Sequence, residues 1–428
     1  MKVTIICEYL RKNFFNYPHI LILSTFLFNV QTFTHAQLPI NNLYWQAENI
    51  KTVQLHTQTD SLAFPAVALA TDDILILSFD EIEHDKRTLH YSLQHCNADW
   101  QQSDLLDIEF FEGFNKVFDA DDAQFSFNTT TDYTHYIITI STSDIKLSGN
   151  YIIKVFDEDD NELLHRPFIV YESIIGIQSR LTRQKQAQTA TQTLSVALLH
   201  PTLQVINAVA EIKIATWQNN NFWTWNMAAT PTFIRHNELL YDNIATFEAG
   251  NEHRWADNRS LKYNGLSTSH IEYHDPFYHF TLSTDKQPVG YYFYEDFNGM
   301  QYIEARDIHY PATYAADYNI VHFTFQSQNI GNLYLFGELT EMKPQPMQYD
   351  PLNQIYYTNV LLKQGLHSYQ YLNSENENIS VAKTEGTYIE TENDYYIAVY
   401  YRQLGDTVDR LIGYKLHNSK KTLNDFIK

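Results

Sequence analysis

The chain repeats one hydrophobic rhythm many times over, with apolar residues at every second position in short stretches. Leu89, Tyr91 and Leu93 alternate with His90, Ser92 and Gln94. Tyr278, Phe280 and Leu282 alternate with His279, Thr281 and Ser283, and Val321, Phe323 and Phe325 with His322, Thr324 and Gln326. A period of two sends one set of side chains into a core and the other into water, which is the signature of a half-buried strand. Ile74 to Leu77 is a continuous apolar run, suited to a more buried strand. Beyond the N-terminal apolar segment there is no sustained helical period, and the 31 Tyr and 26 Phe favour pleated surfaces. Many short strands with turns between them predict an all-β chain of antiparallel sandwiches.

One immunoglobulin-like sandwich takes about 100 residues, so 428 residues suggest three in tandem. The boundaries predicted are 37–172, 173–310 and 311–428. The first unit ends on the strand Pro167-Phe168-Ile169-Val170. The run from Ser179 to Thr193, rich in Gln, Thr and Arg, reads as a solvated loop or linker. Tyr310-Pro311-Ala312-Thr313 breaks the pattern, because proline removes a ladder donor. In the third unit Leu333 to Leu339 reads as a strand running into a turn, Gln354 to Val360 as another strand, and Leu361 to Tyr371 as a stretch with Gly365 in its turn. That unit resembles early-set sandwiches found beside glycan-active enzymes, and Tyr356 or Tyr357 would stack on sugar there. Adjacent strand residues face opposite ways, so one of the two belongs to the core. The basic tail from Lys420 is expected to fray.

Residues 1–36 carry Lys2, Arg11 and Lys12, then the apolar run His19 to Val30, then Thr34-His35-Ala36. This is the layout of a secretory signal peptide cleaved near Ala36, the apolar run being too short to span a bilayer. The mature chain is therefore expected to be exported and soluble. Loss of the segment removes a net +2 and takes the chain from −22 to −24. Such a charge argues against nucleic acid and against docking on anionic lipid. Cys7 leaves with the segment, so Cys96 has no internal disulfide partner and reads as a small buried hydrophobe near Trp100.

Motifs for catalysis are missing. There is no Gly-x-Ser-x-Gly elbow, no phosphate loop, no His-Glu-x-x-His and no Cys-x-x-Cys. His270, His274 and His279 lie along one expected hairpin and read as strand-face residues rather than metal ligands. Asp157 to Asp160 read as a solvated hairpin turn, because the spacing of a calcium loop is absent. No cofactor, no metal and no enzymatic activity are expected.

The densest segment is Trp217 to Tyr263, with aromatics, Asn and charges side by side. At its centre, Asn251, Glu252, Arg254, Asp257 and Arg259 must be either solvated or joined in a buried polar network. Trp223, Trp225, Tyr241 and Trp255 have two readings, partner anchors or core. Asn251, Glu252 and Arg254 are candidate partner contacts. Asp257, Arg259 and Trp255 are candidates for an internal staple that pins a long loop.

Ordered blocks along the chain carry a family resemblance: His95-Cys96-Asn97-Ala98-Asp99-Trp100, Glu112-Gly113-Phe114, Tyr133-Thr134-His135-Tyr136 and Arg166-Pro167-Phe168 in the first unit. Trp217-Gln218-Asn219, Gly250-Asn251-Glu252-His253-Arg254 and Asp296-Phe297-Asn298-Gly299 follow, then Glu390 to Tyr395, Val399 to Arg402 and Leu411 to Tyr414. In this order they resemble the plug protein of the Bacteroidota type IX secretion system. The resemblance implies a non-enzymatic stopper for the periplasmic mouth of a very large outer-membrane β-barrel translocon, its partner, when that channel is idle. One departure is Trp255-Ala256-Asp257, where the family would place an aromatic directly before the acid. The competing reading is an exported glycan-binding protein that uses its third sandwich.

Overall fold

The computed structural model describes residues 43–422 apart from 83–84, 119–122, 187–188 and 376–377. The expected signal peptide and its cleavage site lie outside the described residues. The regular structure described is nearly all strand, arranged as three two-sheet sandwiches.

In the first sandwich one sheet runs through Trp45–Gln46, Glu162–Tyr171, Gly149–Phe156, His90–Cys96 and Val117–Phe118. The facing sheet runs through Ile50–Thr57, Ile74–Ile82, Tyr133–Ser141 and Ala123–Phe125. Leu75, Leu77, Phe79, Leu89, Tyr91 and Leu93 close the core between them. The alternation read at Leu89, Tyr91 and Leu93 is therefore the inward face of a real strand.

The second sandwich pairs a sheet of Gly176–Gln186, Thr189–Leu199, Glu238–Glu248 and Phe233–Arg235 with one of Asn221–Ala228, Ile212–Gln218, Asp394–Tyr401 and Arg410–Asn418. Two expectations need correction here. The polar run Ser179 to Thr193 is no linker: Gly176–Gln186 and Thr189–Leu199 pair residue for residue from Gly176↔Leu199 to Gln186↔Thr189. Its polarity is that of an edge strand with one face in water, and Leu181 supplies the inward side.

The second correction concerns the division at 310. Asp394–Tyr401 pairs with Ile212–Gln218, with Ile214 opposite Val399, so the chain's last strands complete the second sandwich. The third sandwich is thus an insertion between Glu248 and Asp394. It sets Arg254–Asp257, Gly365–Glu375 and Asn332–Phe336 against Thr268–His274, Phe277–Leu282, Tyr318–Gln326 and Ile355–Lys363. Arg254–Asp257 and Gln301–Ile303, both placed before 310 in the linear division, pair with Gly365–Glu375. Phe280, Val321, Phe323 and Phe325 fill its core. Of the tail expected to fray, residues 423–428 lie outside the described residues; before them Lys420 Nζ lies 3.2 Å from the centroid of the Phe293 ring, and Lys421 Nζ lies 3.1 Å from Glu392.

Candidate partner interface

The segment around Asn251 to Arg259 leads from the second sandwich into the third, and its charges are consumed inside the molecule. Gly250 sits at φ +62°, a left-handed turn that glycine adopts without strain. Its carbonyl accepts from Tyr388 N at 2.9 Å and Thr391 Oγ1 at 2.9 Å. Asn251 Nδ2 donates to the Glu385 carbonyl at 3.2 Å. Glu252 is buried and accepts from the Tyr291 hydroxyl at 2.5 Å and from Glu392 N at 3.2 Å. Burial raises its pKa above the ordinary carboxylate value.

Arg254 spans Glu385 and Asp285, each at 2.8 Å, and donates to the Lys286 carbonyl at 2.8 Å. Asp285 in turn accepts from the Tyr369 and Tyr371 hydroxyls at 2.7 and 2.8 Å. Burial opposes the arginine's charge, but the two carboxylates outweigh it and raise its pKa. Arg259 grips Asp257 through Nη2 at 2.6 Å and Nε at 2.8 Å, and reaches Glu304 at 2.9 Å. Burial works against the Asp257 charge, yet the guanidinium and backbone N–H groups hold its pKa below the ordinary value. Trp255 is half-buried, edge-on to Phe297 at 4.6 Å. Asn251, Glu252 and Arg254 therefore bind their own chain in this conformation. Such networks fix relative placement more than they add stability.

The aromatic candidates separate. Trp225 is 9% exposed and packs on Trp217 at 5.1 Å and Trp100 at 6.0 Å. Tyr241 is buried in the core of the second sandwich. As partner anchors both are corrected by their burial, since their surface is already covered. Trp223, two residues from Trp225, is 39% exposed. It lies on the edge strand Asn221–Ala228 with exposed Met227, and Phe233–Arg235, the edge of the facing sheet, adds exposed Phe233 and Ile234. Asn226 Nδ2 donates to the Ile244 carbonyl at 3.0 Å and ties this edge strand to Glu238–Glu248, the neighbour of Phe233–Arg235. Sequence reasoning named Trp223 and missed Met227, Phe233 and Ile234, whose only signal was apolar character beside a turn.

The first sandwich joins each of the other two through a seam. Between the first and second, Phe64, Cys96, Trp100, Trp217, Phe222, Trp225, Tyr396 and Tyr400 form one apolar cluster. Tyr400 donates to Asn150 at 2.7 Å, and Arg402 Nη2 to Asn97 Oδ1 at 3.0 Å. Cys96 lies in this seam; burial pushes its thiol up to about 11. Between the first and third, Asp80 accepts from Lys363 Nζ, the Tyr318 hydroxyl and His135 Nδ1, each at 2.6 Å. Asp317 accepts from Thr130 N at 2.9 Å across the same joint. Burial opposes the Asp80 charge, and Lys363 with His135 still keeps its pKa below the ordinary carboxylate value.

Among the described residues no group of three or more His, Cys, Asp or Glu side chains is placed to hold a metal ion. Among them, too, no helix is long and apolar enough to cross a membrane. The polar groups that sequence reasoning singled out serve joints and loops. A body of joined two-sheet sandwiches defines the class: an all-β sandwich protein.

The comparisons narrow the class. A family model described as type 9 secretion system plug protein, 1st domain, matches residues 50–172. The crystal structure of a hypothetical protein from Parabacteroides merdae ATCC 43184 is similar at 31% identity and a TM-score of 0.82. The similarity covers 87% of this chain and 98% of that one. No curated protein compared with the chain matches it. The chain therefore carries, over residues 50–172, the 1st domain of the type 9 secretion system plug protein family. Its role is plug-like, within type IX secretion.

Proposed function

We propose that the protein is a non-enzymatic periplasmic stopper that closes the periplasmic mouth of the large outer-membrane β-barrel translocon while that channel carries no cargo. The observation that carries the reading is the pair of seams. The first sandwich is welded to the second through an apolar cluster and pinned to the third through a buried Asp80–Lys363 pair. A stopper must resist deformation across a wide opening, and three sandwiches joined in this way form one unit with little freedom to shear. Trp223, Met227, Phe233 and Ile234 supply an exposed aromatic and aliphatic edge of the kind that anchors protein interfaces. In this reading Arg254, Glu252 and Asn251 hold the third sandwich in place and contribute to the contact indirectly.

The test is site-specific photocrosslinking from position 223 in cells, followed by purification from detergent-solubilised outer membrane. Adducts to a very large barrel protein are expected. Adducts only to other periplasmic proteins, or none from positions 223, 227 and 233, would refute the assignment of this edge. Deletion should make the outer membrane permeable to large antibiotics; an unchanged barrier would count against closure.

A further inference from the structure

A cleft of about 420 Å³ runs between the first and third sandwiches, and its electrostatics differ from those of the rest of the chain. Lys51 and Arg166 line it from the first sandwich, Lys343 and Lys363 from the third, together with Glu338 and Glu341. Lys363 is matched by Asp80. Arg166, Lys51 and Lys343 then stand against Glu341 and Glu338, and burial pushes Glu338 up to about 7, so that it is only partly ionised near neutrality. This is a cationic island in a chain of net charge −22.

Arg166 is the central observation. Its residue is 4% exposed, and its guanidinium donates to three neutral oxygens: the Trp45 carbonyl at 2.9 Å, the His165 carbonyl at 2.9 Å and Gln46 Oε1. The Tyr44 ring lies 5.6 Å from it. Among the described residues no carboxylate makes an ion pair with it, whereas buried Arg254 has two. Desolvation is large enough to bring the guanidinium's pKa down to about 10. Glu341 and Glu338 act on it only from beyond ion-pair contact and do not make up its desolvation, and a guanidinium fork is shaped for a planar or tetrahedral oxyanion. Lys343 is also only weakly matched, with Glu341 at 3.9 Å.

We propose that this cleft binds a small doubly charged oxyanion, of phosphate or dicarboxylate type, received by Arg166 with Lys51 and Lys343. The volume suits a ligand of that size. Because the two walls belong to different sandwiches, an occupant ties the first to the third and stabilises the folded state by mass action. Nothing in this depends on a contact with the translocon, so it stands or falls separately from the stopper reading.

The experiment is thermal unfolding and titration calorimetry of the mature chain with sodium phosphate and, separately, sodium succinate, each against sodium chloride at equal ionic strength. A saturable rise in Tm with one or both anions is expected, and the anion that acts identifies the ligand as phosphoryl or carboxylate. Arg166→Gln should abolish the rise. Should that variant not fold, the Lys51→Gln/Lys343→Gln double variant reads the same site and should weaken binding at least tenfold. A rise no larger than that with chloride for both anions overturns the proposal, as does saturable binding that the double variant leaves unchanged.

Discussion

The two seams do the same job with opposite chemistry. Where the first sandwich meets the second, Trp100, Trp217, Phe222 and Trp225 interlock, with ring centroids 5.1 to 6.0 Å apart. Where it meets the third, an aspartate accepts three hydrogen bonds from a lysine, a tyrosine and a histidine. The apolar seam gains free energy from area removed from water. The ionic seam gains little net energy, because desolvation offsets the attraction, but it accepts only one alignment. The second sandwich is therefore fused to the first, while the inserted third is registered to it.

This contrast can be broken most severely at the apolar seam. Trp217→Ala removes its most central ring, and a loss of about 4 kcal/mol is expected from the cavity left behind, measured by urea unfolding. Lys363→Met should cost about 3 kcal/mol, because Asp80 is left charged and buried. Adding Asp80→Asn should restore most of that loss; a double variant as unstable as the single would remove the ionic description of the joint.

A smaller effect separates the seams by pH. The Glu338 carboxyl in the cleft has its folded pKa raised to about 7 from 4.5. Between those values the folded state binds more protons than the unfolded one, so stability falls as pH rises from 4.5 to 7. Glu338→Gln should remove that fall, gaining about 2 kcal/mol at pH 8 and nothing near pH 4, read from unfolding midpoints across the range. Asp80 runs the other way, contributing stability above the unfolded carboxylate pKa that is lost as acid protonates it. The smallest effect on stability belongs to Trp223→Ala, within about 0.5 kcal/mol, as for an exposed side chain. Its consequence is expected in co-purification with the translocon instead.

How much was legible differs between strands and joints. Period-two alternation at Tyr278, Phe280 and Leu282 and at Val321, Phe323 and Phe325 marked true core faces, because burial of one sheet face is written locally. Ser179 to Thr193 was misread, since an edge strand in water shares its composition with a loop. Trp223 and Trp225 have the same parity on one strand and yet opposite fates. A register shift between Thr216 and Gln218 on the neighbouring strand disturbs the ladder there, and Trp100 of the first sandwich covers only Trp225. The network of Asp257 and Arg259 was readable as a staple from its spacing. The partners of Arg254, Asp285 and Glu385, lie 31 and 131 residues away and left no local trace.

The amino-acid sequence by itself determined that the chain is all-β, that it spans several sandwiches, that Cys96 is a small buried hydrophobe beside Trp100, and that no catalytic motif is present. Those properties follow from local period, residue chemistry and spacing. Only the tertiary structure decided that the third sandwich is inserted into the second, that Trp225 and Tyr241 are core while Trp223 is surface, and that Arg166 is buried with no carboxylate in ion-pair contact among the described residues. Each of these depends on contacts between residues far apart in the chain, and strand pairing and burial across a joint are energies of proximity in space, which a local pattern does not encode.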